Sequence, residues 1–227
     1  NGYAIFARDF FLPGVMLRNA SEMVGTVCFM TALSLIEIST ASAILQATPL
    51  AVTLGAVLFL GETVGWRRWS AIAVGFAGVL IMLRPGLGVF EPKTLWALAG
   101  MLALSMRDLS TRMIPHSVPT LRVSTYGISM LLPAGLILLG LKGGAQPMTP
   151  VLWLYMGCAL VLGAIGYHAI TTAMRTGEIS VVAPFRYTRM AFALIIGITV
   201  FHERPDFWTL FGVSVTIAAG VYTFLRE

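Results

Sequence analysis

Ile179-Ser180-Val181-Val182-Ala183-Pro184-Phe185-Arg186-Tyr187-Thr188-Arg189 opens an apolar run that continues to Phe201. From 179 to 201 it is 23 residues long, enough to cross a hydrocarbon core of about 30 Å as a helix. Arg186 and Arg189 carry its only charges. Each costs roughly 2.5–3.5 kcal/mol at a helix centre even on the lenient insertion scale. Spaced three apart, they share one helix face, with Tyr187 beside it. That face is read as lining a polar cavity that receives a negatively charged substrate group. The competing reading is a buried structural ion pair.

Composition places the whole chain in the same class. Of its 227 residues 57% are hydrophobic and 11% charged, against about 25% charged in a soluble domain. Mean hydropathy is +0.85. The expectation is an all-α polytopic membrane helical bundle, since alternating strand-like segments of barrel type are absent. The net charge of +5 forms no basic run or stripe, so no nucleic-acid partner is expected. Cys28 and Cys158 each lie inside an apolar run and read as packing residues. No metal or other cofactor pattern is present. Membrane lipid is the expected surrounding, and a homodimer is left open.

Taken in order, Asn1–Leu12 reads as an interfacial lead-in. Eight spans follow: Leu17–Ile36, Ile38–Leu60, Trp69–Leu83, Thr94–Arg112, Val123–Leu141, Val151–Met174, Ile179–Phe201 and Phe207–Leu225. Lys and Arg accumulate on the cytoplasmic side of short loops. One set of alternate ends carries Arg8, Arg18, Arg67, Arg68, Arg107, Arg112, Arg122, Arg175 and Arg226. The other carries Arg84, Lys93, Lys142 and Arg204. Both ends of the chain are therefore expected in the cytoplasm, with the Glu37 corner outside and the Glu178 corner inside.

An internal repeat accompanies this topology. Thr31-Ala32-x4-Glu37-Ile38-Ser39 recurs as Thr172-Ala173-x4-Glu178-Ile179-Ser180, an offset of 141 (172 − 31). At that offset Glu62 matches Glu203, Gly25 matches Gly166 and Gln46 matches Tyr187. An odd number of spans separates the copies, so they face opposite sides, as in the inverted repeats of secondary transporters. A five-helix unit fits the second half, residues 94–227. The first half, residues 1–84, holds three such helices, so two further helices are expected before Asn1.

The residues Pro49-Leu50, Leu60-Gly61-Glu62 and Gly75-x-x-Gly78, with Phe201-His202-Glu203 and Gly220 in the second copy, resemble an EamA-type repeat. That is the building block of the drug/metabolite transporter superfamily. The resemblance implies ten helices in two inverted fives, both termini cytoplasmic, and alternating-access transport of small metabolites without an attached ATPase. The chain departs from the pattern in two places: His202 stands where the first copy has Gly61, and Pro184 comes six residues before Met190, the match of Pro49.

The expected function is a secondary active transporter of a small organic metabolite, anionic or zwitterionic, in a bacterial cytoplasmic (inner) membrane. A multidrug or cationic-compound exporter of the same superfamily is the nearest rival. A non-transporting scaffold or a membrane-embedded enzyme is the rival of another class. No His-Glu-x-x-His, Ser-His-Asp or clustered Cys/His pattern supports an enzyme, and His116, His168 and His202 sit on different segments. Candidate substrate contacts are Arg186, Tyr187, Arg189, Gln46, Tyr126 and His168. Asp108 and Glu22 are candidates for ion coupling, because carboxylates inside spans mark ion pathways. Their bland alternative is local pairing four residues away, Asp108 with Arg112 and Glu22 with Arg18. Glu62 and Glu203 read as interfacial residues that pack against or cap the helix after them.

Overall fold

A computed structural model describes residues 8–61, 65–83, 91–141, 143–144, 147, 149–176, 192–193 and 195–225. Among them every regular element is a helix. A short 3₁₀ turn, Arg8–Phe11, leads into α1 (Pro13–Leu33). Pro13 suits the first turn, where its fixed φ is helical and its missing N–H has no partner to lose.

The next span is broken. α2 (Ile38–Leu45) and α3 (Thr48–Leu60) are separated at Gln46-Ala47. Pro49 has no N–H for the Leu45 carbonyl one turn back, and the Thr48 hydroxyl donates to that carbonyl at 2.6 Å instead. α4 (Trp66–Leu83) and α5 (Thr94–Arg112) follow. The fifth expected span is likewise split, into α6 (Thr120–Ser129) and α7 (Leu131–Leu141), with the break at Met130. Pro133 again withholds the donor for the carbonyl four residues back, that of Ser129. α8 (Pro150–Thr176) and α9 (Phe207–Leu225) follow, with further helical residues at 192–193 and 195–199 between them. By length and composition Ile38–Phe59, Thr120–Leu141 and Pro150–Ala173 can each cross a membrane. The span expected at 179–201 lies largely outside the described residues.

The main core joins α1, α2, α3, α4, α5 and α9, through Ala32, Ile44, Ala51, Val79, Met101 and Val213. A smaller one, Val15, Ile114, Val118, Val123 and Tyr126, closes the end of the bundle where α1 begins and α5 ends. Small residues let α4 and α9 approach closely. A Cβ on Gly78 would stand 2.8 Å from the Gly212 carbonyl oxygen, and one on Gly75 3.4 Å from the Ala219 methyl. The Thr216 hydroxyl reaches the Gly75 carbonyl at 3.3 Å. At the offset of 141, Thr216 corresponds to Gly75 and Ala219 to Gly78. Gly75 thus touches the counterpart of Gly78, and Gly78 the counterpart of Gly75. Such an exchange arises when a two-fold axis runs between two helices.

Glu203 ties the turn before α9 to the start of α2. Its carboxylate accepts the backbone N–H of Ile38 at 2.6 Å and of Ser39 at 3.1 Å. These are orphan donors in the first turn of α2, whose N-cap residue Glu37 forms no side-chain cap bond. Glu203 therefore caps a helix in the other half of the chain, not the helix after it, which Asp206 caps through the Thr209 N–H at 3.0 Å. The preceding residue aims it. His202 has φ 54°, matching Gly61 at φ 67° in the first copy, so both turns are left-handed. The Glu203 N–H then closes on the Gly197 carbonyl at 2.9 Å.

Candidate functional site

α1, α5 and α8 bring a charged cluster together inside the bundle. Arg18 is 2% exposed, Glu22 3% and Asp108 5%. Arg18 and Glu22 are four apart on α1 and share a face, but they do not bond as the local-pairing expectation had it. The Arg18 Nε donates to the Thr111 hydroxyl at 3.1 Å and its Nη2 to the Tyr167 hydroxyl at 2.8 Å. Its guanidinium carbon stands 5.7 Å from the Tyr167 ring centre. Glu22 turns instead to other helices. It accepts the Tyr167 O–H from α8 and the Arg107 Nη1 from α5, at 3.3 Å on each oxygen. Arg107 also holds Asp108 through Nε at 2.9 Å and Nη2 at 2.7 Å.

Pairing accounts for the burial. A lone charge loses far more solvation than the interior returns, whereas paired, hydrogen-bonded charges recover much of it. Gly127 on α6 makes the arrangement possible, because a Cβ there would fall on the Tyr167 hydroxyl and the Arg18 guanidinium. Beside the cluster lies a small cavity of about 20 Å³, lined in part by Arg18, Arg107, Asp108, Thr111, Tyr167 and Thr171. One residue along α8, the His168 Nδ1 is 3.2 Å from the Ser124 hydroxyl of α6. His168 thus belongs to the same end of the bundle.

The remaining candidates stand elsewhere. Tyr126 is fully buried in the smaller core, edge-on to Phe10 with ring centres 5.2 Å apart. Gln46 is buried at the α2–α3 break and does not line the cavity. Arg186, Tyr187 and Arg189 lie outside the described residues, as does Glu62. Cys28 is buried and Cys158 exposed, which removes Cys158 from the packing role expected of it. Among the described residues no group of His, Cys, Asp and Glu is placed to hold a metal ion.

Sequence reasoning missed Arg18, Arg107 and Tyr167 as members of this cluster. It counted Arg18 and Arg107 among the loop-end charges. The usable clue was the row Arg18, Asn19, Ser21, Glu22 and Gly25, a polar face inside an otherwise apolar helix.

A helical bundle with apolar spans and paired charges sealed inside defines an integral membrane protein of the transporter class. The family of EamA-like transporters matches residues 14–84 and 92–225, and the chain belongs to that family. Its relatives are transporters, not enzymes. The S-adenosylmethionine uptake transporter of Rickettsia bellii is 27% identical over 218 residues, spanning 93% of this chain and 72% of the relative. The riboflavin transporter of Rhizobium johnstonii is 26% identical over 212 residues, spanning 93% and 70%. One solved crystal structure superposes with a TM-score of 0.60 at 14% identity, covering 96% of this chain and 91% of the other, a likeness of fold.

Proposed function

We propose that this protein moves a small organic metabolite with an anionic or zwitterionic group across a bacterial cytoplasmic membrane by alternating access. The observation that carries the reading is the buried Arg18–Glu22–Arg107–Asp108–Tyr167 cluster beside a cavity at the junction of three helices. Charges are retained inside a membrane bundle chiefly where substrates or ions pass. The relatives' named substrates support a small metabolite with a ring system. S-adenosylmethionine adds an amino-acid zwitterion, whereas riboflavin is uncharged.

In this proposal the chain holds two inverted repeats, residues 1–84 and 94–227, with both ends cytoplasmic. Arg186 and Arg189 grip the substrate's carboxylate or phosphate, since a guanidinium pairs bidentately and keeps its proton. Tyr187, Gln46 and His168 supply further contacts. Reconstituted vesicles offered S-adenosylmethionine, riboflavin or the cation ethidium test the reading. Protein-dependent movement of S-adenosylmethionine supports it, whereas movement of riboflavin alone keeps the metabolite carrier and removes the charge preference. Movement of ethidium alone favours the cationic exporter. Arg189→Lys is expected to weaken uptake of S-adenosylmethionine with normal folding, and Arg189→Ala to abolish it. If both variants move it at the wild-type rate, the arginine contact is wrong.

A further inference from the structure

Two buried carboxylates stand in the cluster. Asp108 is bonded by Arg107, its neighbour on the same helix. Glu22 is held from two other helices, by Tyr167 of α8 and Arg107 of α5. Neutralising it alters contacts between helices. α8 is exposed at every position from Val151 to Gly163. Its cross-helix polar grip comes from its later turns, where Tyr167 reaches α1 and His168 reaches Ser124.

We propose that Glu22 takes up and releases a proton during the transport cycle, and that the Tyr167–Glu22 hydrogen bond turns this protonation into movement of α8. The inference rests on the carrier reading above and deepens it by naming the coupled ion and its residue. Arg18 sets the direction of the bond. Its Nη2 donates to the Tyr167 oxygen at 2.8 Å, and a guanidinium has no acceptor to offer. The Tyr167 proton must therefore point to Glu22.

When a hydronium ion delivers its proton, one Glu22 oxygen gains an O–H bond, water leaves and the carboxylate charge disappears. The Tyr167 bond then loses its charged acceptor, and with it about half its strength. Arg107 keeps Asp108 as its counter-charge, so the event strands no cation on α5. Among the described residues, the charged or titratable groups facing Glu22 are Arg18 on its own helix, Arg107 and Asp108 on α5 and Tyr167 on α8. His168, also on α8, is the competing titratable group.

The test places spin labels at the exposed positions Met16 on α1 and Leu162 on α8. The full chain, with Cys28→Ser and Cys158→Ser, is reconstituted in nanodiscs, and the label-to-label distance is followed across pH. The expected result is a pH-dependent shift in the wild type that survives His168→Gln. Glu22→Gln should show the acidic distribution at every pH, and Tyr167→Phe should show no shift. A wild-type distance that ignores pH overturns the proposal, as does a shift that persists in Glu22→Gln or is abolished by His168→Gln. Should Glu22→Gln not fold, a shift persisting in Tyr167→Phe is equally fatal. No substrate enters this measurement, so its failure leaves the carrier reading to the vesicle experiment, whereas failure of that experiment with a persisting shift keeps the Glu22-linked movement and removes its place in a transport cycle.

Discussion

At Gly127 the absence of a side chain decides whether two others can meet. The Tyr167 hydroxyl and the Arg18 guanidinium occupy the space a Cβ would take. Gly127→Ala is therefore expected to cost about 1–3 kcal/mol through overpacking, read as a lower melting temperature in detergent. An unchanged melting temperature would mean that α6 does not sit against the cluster this closely. His202 presents the opposite case, a side chain where none is wanted. A left-handed backbone costs an L-residue roughly 1–2 kcal/mol, and His202 adopts one at φ 54°. His202→Gly should raise the melting temperature, and His202→Val should lower it. Equal melting of the variants would show that the turn is not strained.

Among the elements, α2 is short, and its first turn depends on a carboxylate from 165 residues away. Removing a side-chain cap costs about 0.5–2 kcal/mol. Glu203→Ala should lose that amount, whereas Glu203→Gln keeps an acceptor and should lose less. If alanine and glutamine prove equally mild, the cap is not formed. The neighbouring Glu37 adds a pH dependence. Burial first, then the charges of Glu203 and Glu91, raise its pKa above the ordinary 4.5. The folded state therefore binds this proton more tightly than the unfolded state does. The ionised group opposes folding above the raised value, and acid relieves that opposition, fully so below 4.5. Glu37→Gln should melt higher than wild type at neutral pH, with the gap closing on acidification. A gap that widens in acid would reverse the sign of this argument.

At the scale of the whole molecule, the proposal of two halves of opposite orientation predicts which corners face outside. Single cysteines at Glu37 and His116, both exposed, test this in a background lacking Cys28 and Cys158. An impermeant thiol reagent applied from outside should label position 37 and spare position 116. The reverse pattern would invert the orientation. The α4–α9 contact also limits size, because Gly78→Leu would drive a side chain into the Gly212 carbonyl and Thr216. That variant should fail to accumulate, whereas the same change at Gly163, with open space around it, should be tolerated.

Much of this architecture is written in local sequence. Apolar run length fixed the membrane class and the extents of α5 and α9, because hydrocarbon admits only backbone that satisfies its own hydrogen bonds. Of the turns expected to match across the proposed repeat, Gly61 and His202 share a left-handed backbone. Proline positions foreshadowed the breaks in the second and fifth spans, although each span was drawn as one helix. Partner choice was not legible. Arg18 and Glu22 share a face four residues apart, yet each bonds to other helices, because a long side chain finds its lowest energy among all groups within reach. Glu203 likewise caps α2 and not the helix beside it in sequence. Such choices depend on which helices lie side by side, and only the folded bundle decides that.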